Sequence, residues 1–390
     1  MAIYGAVLIS IIVTGILFAY FRKQVAWWEY FIPIPTSIIL VVIMKLIIEQ
    51  AQVTSTEYWG SMVERIEYYE EWDEWVTQTC YKECCCDKDG KNCSQESYDC
   101  SYRAYHSPYW QIITTTGETI SITESEYSAI KKIFGNETFK DLHRDYYTID
   151  GDEYYCTWDG SEAHAVPVTT IHSYENRVKA TDLNVFHFEK VDDSTRVHYE
   201  LKDYPAKHNS YAQNALIGDN TPDAVQANKK LNYINGKLGS KKQVRVYLLV
   251  FKNQPQDAAM YQEWYWAGGN KNEFVVCVGI DQSRNVTWCK PISWTTNETL
   301  KIETRDFVLR QKQVNLTEIA QYLEKAVDQK FVRRQFKEFD YLTVEPPTWS
   351  IVLTYILTIM VNIGIWYWVV NNEFDEETGT NRRSLYDKRW

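Results

Sequence analysis

Three apolar stretches, Ala2–Tyr20, Phe31–Ile48 and Trp349–Val370, frame this 390-residue chain. The long polar segment between the second and third holds every cysteine. A bilayer core about 30 Å thick takes roughly 20 apolar residues as helix. The first stretch carries no charge, follows no basic n-region and ends in no small-residue cleavage site. It reads as a retained helix rather than a secretory signal. The third has Trp349 at one end and Trp366, Tyr367 and Trp368 at the other, where aromatic belts sit. Pro346 and Pro347 mark its start. The second holds Pro33 and Pro35 near its start, where proline is tolerated, and Lys45 near its far end, from where a lysine snorkels. Its rival reading is a re-entrant or interfacial segment, but its charge-poor length favours a span. Three transmembrane helices are expected.

Charge placement gives them a direction. Arg22 and Lys23 follow the first stretch, and Arg382, Arg383, Lys388 and Arg389 lie in the tail. The positive-inside rule puts both in the cytoplasm and the segment from about Gln50 to Pro347 outside. Thiol placement is a separate signal. Six of the nine cysteines crowd into Cys80, Cys84, Cys85, Cys86, Cys93 and Cys100, with Cys156, Cys277 and Cys289 further on. Paired CxxC spacing is absent and no histidine lies inside the cluster, so disulfides are favoured over zinc. All nine are disulfide candidates, and the odd count leaves one thiol free or paired between chains. Folding FVVCVGIDQSRNVTWCKPI about Ser283 sets Cys277 roughly opposite Cys289. A cross-strand bridge and two buried thiols are equally compatible with that hairpin. Five Asn-x-Ser/Thr sequons, at Asn92, Asn136, Asn285, Asn297 and Asn315, fall on the same side.

The net charge of −11 argues against a nucleic-acid partner, which needs a basic face. With 29 Tyr and 15 Trp, a surface share of the aromatics would suit protein or glycan contact. The fold class expected is α+β: a membrane anchor of three helices, an antiparallel β module carrying a disulfide-rich loop, and a smaller α/β layer module. The divisions are 1–50 (two spans and a short cytoplasmic loop), 51–210 (β module), 211–347 (α/β module), 348–371 (third span) and 372–390 (cytoplasmic tail). In the first module, 110–116, 118–123 and 166–174 read as strands, with Gly117 turning the first pair, and 62–76 suits a helix face or a strand, its Tyr/Trp/Thr-rich flanks favouring strand. Thr123 with Glu126 forms a capping-box signature for a helix over Thr123–Phe134. In the second, Thr221 caps and Pro222 opens a helix to Leu238. An apolar strand over 244–251, a helix over about 255–266, a strand hairpin from 274, a charged strand over 300–309 and a helix from Leu316 to about Phe339 follow. That alternation suggests an α/β layer.

Catalytic motifs are missing. There is no Walker loop, no GxGxxG, no GxSxG elbow and no HExxH spacing. Gly268-Gly269-Asn270 reads as a helix C-cap and turn. Asp150, Asp152 and Glu153 resemble part of a calcium loop without its spaced ligands and closing Glu. They are weak metal candidates for Ca²⁺ or Mg²⁺, with no cofactor as the default.

The run VRVYLLVFKNQP…YWAGGNKNEFVVCVGI resembles the core of the TPM domain. That domain is a small α/β module tethered outside the membrane and linked to divalent-metal binding, weak phosphatase activity and support of membrane complexes. The likeness covers 211–345, and no metal ligand carries over. The whole chain also resembles membrane proteins of bacteria and their tailed phages. The expected function is therefore a membrane-anchored extracytoplasmic interaction or structural protein of the cell envelope or a phage-encoded equivalent. A TPM-like metal-dependent phosphatase is the alternative. The expected partners are the lipid bilayer and a protein or envelope component, and homo-oligomers are compatible with this reading.

Overall fold

The computed structural model describes residues 2–21, 32–86, 93–181, 188–205 and 214–371. The chain begins with α1 (Gly5–Phe21) and α2 (Pro33–Val53), and continues through β1 (Thr54–Tyr69), β2 (Trp72–Val76), β3 (Thr79–Cys86), β4 (Cys93–Asp99), β5 (Tyr102–His106), β6 (Tyr109–Thr114) and β7 (Thr119–Ile122). Next come α3 (Glu124–Phe134), β8 (Thr138–Lys140), β9 (Glu153–Thr157), β10 (Pro167–Glu175), α4 (Arg177–Ala180) and α5 (Asp193–His198). The remainder is β11 (Leu216–Ile217), α6 (Pro222–Lys242), β12 (Arg245–Lys252), α7 (Asp257–Tyr265), β13 (Glu273–Ile280), β14 (Val286–Ser293), α8 (Glu298–Leu309), α9 (Leu316–Lys330) and α10 (Thr348–Asn371). Two units result. One comprises Met1–Ser55, Ser173–His187 and Gln335–Trp390, the other Thr56–His172 and Phe188–Arg334.

In the first unit α1, α2 and α10 pack together. Two of them, Pro33–Val53 and Thr348–Val369, are long and apolar enough to cross a membrane, whereas α1 is shorter. The buried positions of α1 and α10 carry many small polar residues: Ser10, Thr14, Ser350, Thr354, Thr358 and Asn362. Thr354 and Thr358 each donate to the carbonyl four residues back, at 2.8 and 2.7 Å, so their helix satisfies them. Three others reach across. Ser10 donates to Asn362 Oδ1 at 2.8 Å, Asn362 Nδ2 donates to Ser37 at 2.9 Å, and the two serine hydroxyls lie 2.9 Å apart. Tyr4 and Lys45 also meet, ring centroid to Nζ at 5.7 Å. A Cβ on Gly5 would fall 2.5 Å from Tyr355 Oη. These pairs fix directions: α1 runs antiparallel to α2 and parallel to α10.

The second unit contains both modules. A six-stranded sheet, antiparallel along β7-β6-β1-β9-β8 and with β10 also on β1, packs Val63, Ile66 and Ile112 against Ile130 of α3. Thr123 and Glu126 form the expected capping box on α3, and Gly117 turns β6 into β7 at φ +81°. Beyond β1 the chain forms two-stranded ribbons, β2 with β5 and β3 with β4. Cys80 and Cys100 are bridged, with Cα atoms 5.8 Å apart.

The α/β module is a four-stranded sheet, β11-β12-β13-β14, parallel except for the last pair. β12 is buried on both faces, as a parallel strand must be. α6, α8 and α9 cover one face through Leu231, Ile234, Leu300 and Leu323, and α7 covers the other through Ala258 and Ala259. Both crossovers step the same way across the sheet with their helices on opposite faces. They therefore have opposite hands, and one departs from the right-handed rule. Asp223 of α6 accepts from Leu316 N at 2.7 Å and Thr317 N at 3.1 Å, so it caps α9 and sets the α6–α9 packing.

Three expectations change. Residues 300–309 form α8, not a strand, because Leu300, Thr304 and Val308 recur at helical spacing on its buried face and Asn297 caps it. α9 stops at Lys330 rather than Phe339, because Val332 turns out to exchange hydrogen bonds with Thr295. The second apolar helix runs to Val53, past Ile48, and leads directly into β1. The two modules also meet closely. The buried Arg245 guanidinium donates to Thr169 Oγ1 at 2.7 Å and to Tyr247 Oη at 2.8 Å. Gly60 and Gly239 touch backbone to backbone: a Cβ on Gly239 would lie 2.4 Å from Gly60 O.

Candidate metal centre

Pairing of β8 with β9 sets Lys140 opposite Glu153. The next residues outward, Asp141 and Asp152, therefore face each other at the mouth of a hairpin. Asp150 joins them through a turn at Gly151, whose φ is +62°. A Cβ at Gly151 would meet Glu71 O at 2.7 Å and Glu70 O at 2.9 Å, so only glycine allows this approach. Ligand oxygens of Asp141, Asp150 and Asp152 lie within 4.8 Å of one another. Asp150 and Asp152 are half-buried and Asp141 is exposed.

The loop is held by a carboxylate that takes no part in the cluster. Asp73, fully buried on β2, accepts from the backbone N–H of Thr148 and Ile149 at 2.7 Å each and from Tyr147 at 3.2 Å. It also accepts from Thr148 Oγ1 at 2.5 Å and from Arg103. Burial pushes the Asp73 carboxyl up, but hydrogen bonds from Thr148, Ile149 and Arg103 outweigh it and hold the group well below the usual carboxylate range. Glu70 N donates to Asp152 O at 2.9 Å, tying the far end of the loop to β1.

The donors are all hard carboxylate oxygens, which suits Ca²⁺ or Mg²⁺ and not a thiophilic metal. Asp150 and Asp152 come together as the sequence suggested. Glu153 does not: its buried side chain accepts from Lys140 Nζ at 3.2 Å. Asp141 replaces it. Nothing local marked Asp141, because its proximity comes from strand pairing across a ten-residue loop, 142–151.

The strand ends of the α/β module offer no second acidic cluster among the described residues. Asp219, after β11, pairs with Lys252 at 2.9 Å and Arg284 at 2.8 Å and also accepts from Thr221 Oγ1 at 3.0 Å. Although burial raises it, these partners hold its carboxyl below the usual range. Asp281 is spent inside its own turn, on Ser283 N and Asn285 N at 2.8 Å each. Gly268 and Gly269, both at positive φ, close the turn after α7 by donating to Glu263 O and Trp266 O. They form a C-cap turn, with β13 and not a helix ahead.

Cys156, Cys277 and Cys289 are free buried thiols, so the Cys277–Cys289 bridge is not formed. Cys277 stands opposite Lys290 and Cys289 opposite Val278. Cys277 packs with Leu249 and Val275 under α7, while Cys289 packs with Val278 on the other face. Burial pushes both thiols up, Cys289 to about 12. The side chains of Cys84, Cys85, Cys86 and Cys93 lie outside the described residues. Comparison with protein-family models, curated proteins and solved structures returns no match to this chain.

Proposed function

We propose that this is a membrane-anchored interaction protein, with α1, α2 and α10 as three spans and the unit of Thr56–His172 and Phe188–Arg334 working outside the cytoplasm. The carrying observation is the reversed burial of the bundle. Leu8, Ile12 and Ile16 are 61–64% exposed, and Ile39, Leu46, Met360 and Ile363 face outward too, while Ser10, Ser37 and Asn362 are fully buried. Such a surface is costly in water and favourable in lipid, and interhelical polar bonds of this kind hold membrane helices together. The helix directions place the ends at Phe21, Pro33 and Asn371 together. The basic residues Arg22, Lys23, Arg382 and Arg383 follow two of those ends in sequence. By the positive-inside rule that end is cytoplasmic. A Cys80–Cys100 disulfide suits the oxidising side. Missing catalytic motifs favour binding over chemistry, to a protein or envelope component or a further copy of the chain. Cross-linking in intact membranes followed by mass spectrometry tests this: a specific partner or oligomer is expected. A chain that washes off membranes at high pH, or that cross-links to nothing, would sink the reading.

The TPM-like phosphatase remains the second reading, supported by the β12–α7–β13 unit and by the acidic cluster. It is weakened because that cluster lies in the β module, while Asp219 and Asp281 are already engaged. Hydrolysis of a chromogenic phosphate ester that rises with Mg²⁺ or Ca²⁺ and falls in Asp152→Asn would reverse the order of the two.

A further inference from the structure

We propose that the cavity bounded by α6, α9 and residues 162–167 is a binding site for a neutral, hydroxyl-rich oligosaccharide. This deepens the interaction reading by naming a ligand class. The cavity holds about 840 Å³, within the roughly 300–1,000 Å³ of small-ligand sites. Carboxamides supply five of its lining residues, Asn214, Gln226, Asn228, Asn232 and Gln321, beside charged Glu162, Lys229 and Lys230. A carboxamide presents a donor and an acceptor side by side. It therefore matches groups that do both, as sugar hydroxyls do, and attracts neither cations nor anions. Asn228 Oδ1 is taken by the N–H groups of Ala215 and Leu216 at 2.9 and 3.0 Å, which leaves its NH₂ to donate. Gln226 and Gln321 are exposed and spend no hydrogen bond on the described residues. Val166 and Pro167 add an apolar surface for the C–H face of a pyranose.

Rival ligands fit the walls less well. An anion would seek a helix N-terminus or a cation. The α9 N-terminus beside Thr317 is already filled by the Asp223 carboxylate. Lys230 lies 2.8 Å from both Glu162 and Glu324, which among the described residues leaves Lys229 as the one lining cation outside an ion pair. Peptides are taken up on sheet edges, in apolar helix grooves or on aromatic shelves. This cavity has two helical walls rich in amides, with Tyr233 among them, and a third wall from the 162–167 loop.

The test is calorimetry on the full chain in lipid nanodiscs, with maltotriose and triacetylchitotriose as neutral probes and a sulfated trisaccharide as control. At least one neutral probe binds, and Gln226→Ala/Gln321→Ala weakens it about tenfold or more. Ala163→Trp, on the exposed loop at the rim, blocks it without touching the core. Silence from both neutral probes at about millimolar concentration, undiminished binding in both variants, or binding of the sulfated sugar alone would each overturn the proposal. Partner capture in cross-linked membranes is scored separately, so loss of sugar binding with capture intact fails the cavity and spares the interaction reading.

Discussion

The helical bundle and the unit of Thr56–His172 and Phe188–Arg334 bury opposite kinds of side chain. In the unit, Leu248, Phe251 and Phe274 are fully buried, and buried carboxylates such as Asp73 and Glu153 are held by hydrogen-bonding partners. In the bundle, large aliphatic side chains lie outside and hydroxyls and an amide lie inside. One chain thus carries two burial rules. Burial alone therefore does not identify a core; what each surface would cost in its own solvent does.

Four substitutions test that contrast. Phe274→Ala should destabilise the unit by about 3–5 kcal/mol, read by denaturant or thermal unfolding, because it empties a closed core. A loss below about 1 kcal/mol would mean the core is looser than its packing implies. Ile43→Arg changes a 47% exposed position. In water an exposed change costs within about 0.5 kcal/mol, whereas at a membrane helix centre arginine costs roughly 2.5–3.5 kcal/mol. Measured insertion into microsomes should fall accordingly, and unchanged insertion breaks the comparison. Asn362→Leu removes the amide that joins α1 and α2 to α10. Its cost should be about 0.6–1.7 kcal/mol, read as weaker helix association in detergent; a stronger association would show the triad to be a burden.

Asp73→Asn should cost stability near neutral pH, and the gap to wild type should close in acid. The folded Asp73 carboxyl titrates below its unfolded value. Its stabilisation is thus fully present above about pH 3.9 and is lost as pH falls toward the folded pKa. The wild-type chain should lose thermal stability faster than Asp73→Asn below about pH 4. Identical acid limbs would remove Asp73 as the anchor of the 147–149 loop.

Where the chain was readable, the signal was local. Thr123 with Glu126 and Thr221 with Pro222 specified helix starts through orphan N–H groups that the same few residues satisfy. Where it was not, the answer came from partners far along the chain. The 300–309 run could serve either period until Leu300, Thr304 and Val308 found α9 and β14 to pack against. Cys277 and Cys289 are the sharpest example. Folding about Ser283 aligns them, but the ladder shifts by one residue between Gly279 and Ile280. A one-residue slip sends each side chain to the opposite face. The candidate metal centre divides the same way: Asp150 and Asp152 stood out as neighbours, while Asp141 joined them only through β8–β9 pairing.

By itself the sequence determined where apolar length, capping residues and thiols lie, because those depend on neighbours within a turn or two of chain. It also marked the second and third apolar stretches, whose helices are long and apolar enough to cross a membrane. The tertiary structure alone decided which face each of those residues uses. It brought Ser10, Ser37 and Asn362 into one contact, set the two cysteines on opposite sides of a sheet and gathered three aspartates from a hairpin mouth. Register and helix direction are settled by packing between segments distant in sequence, and no local preference encodes them.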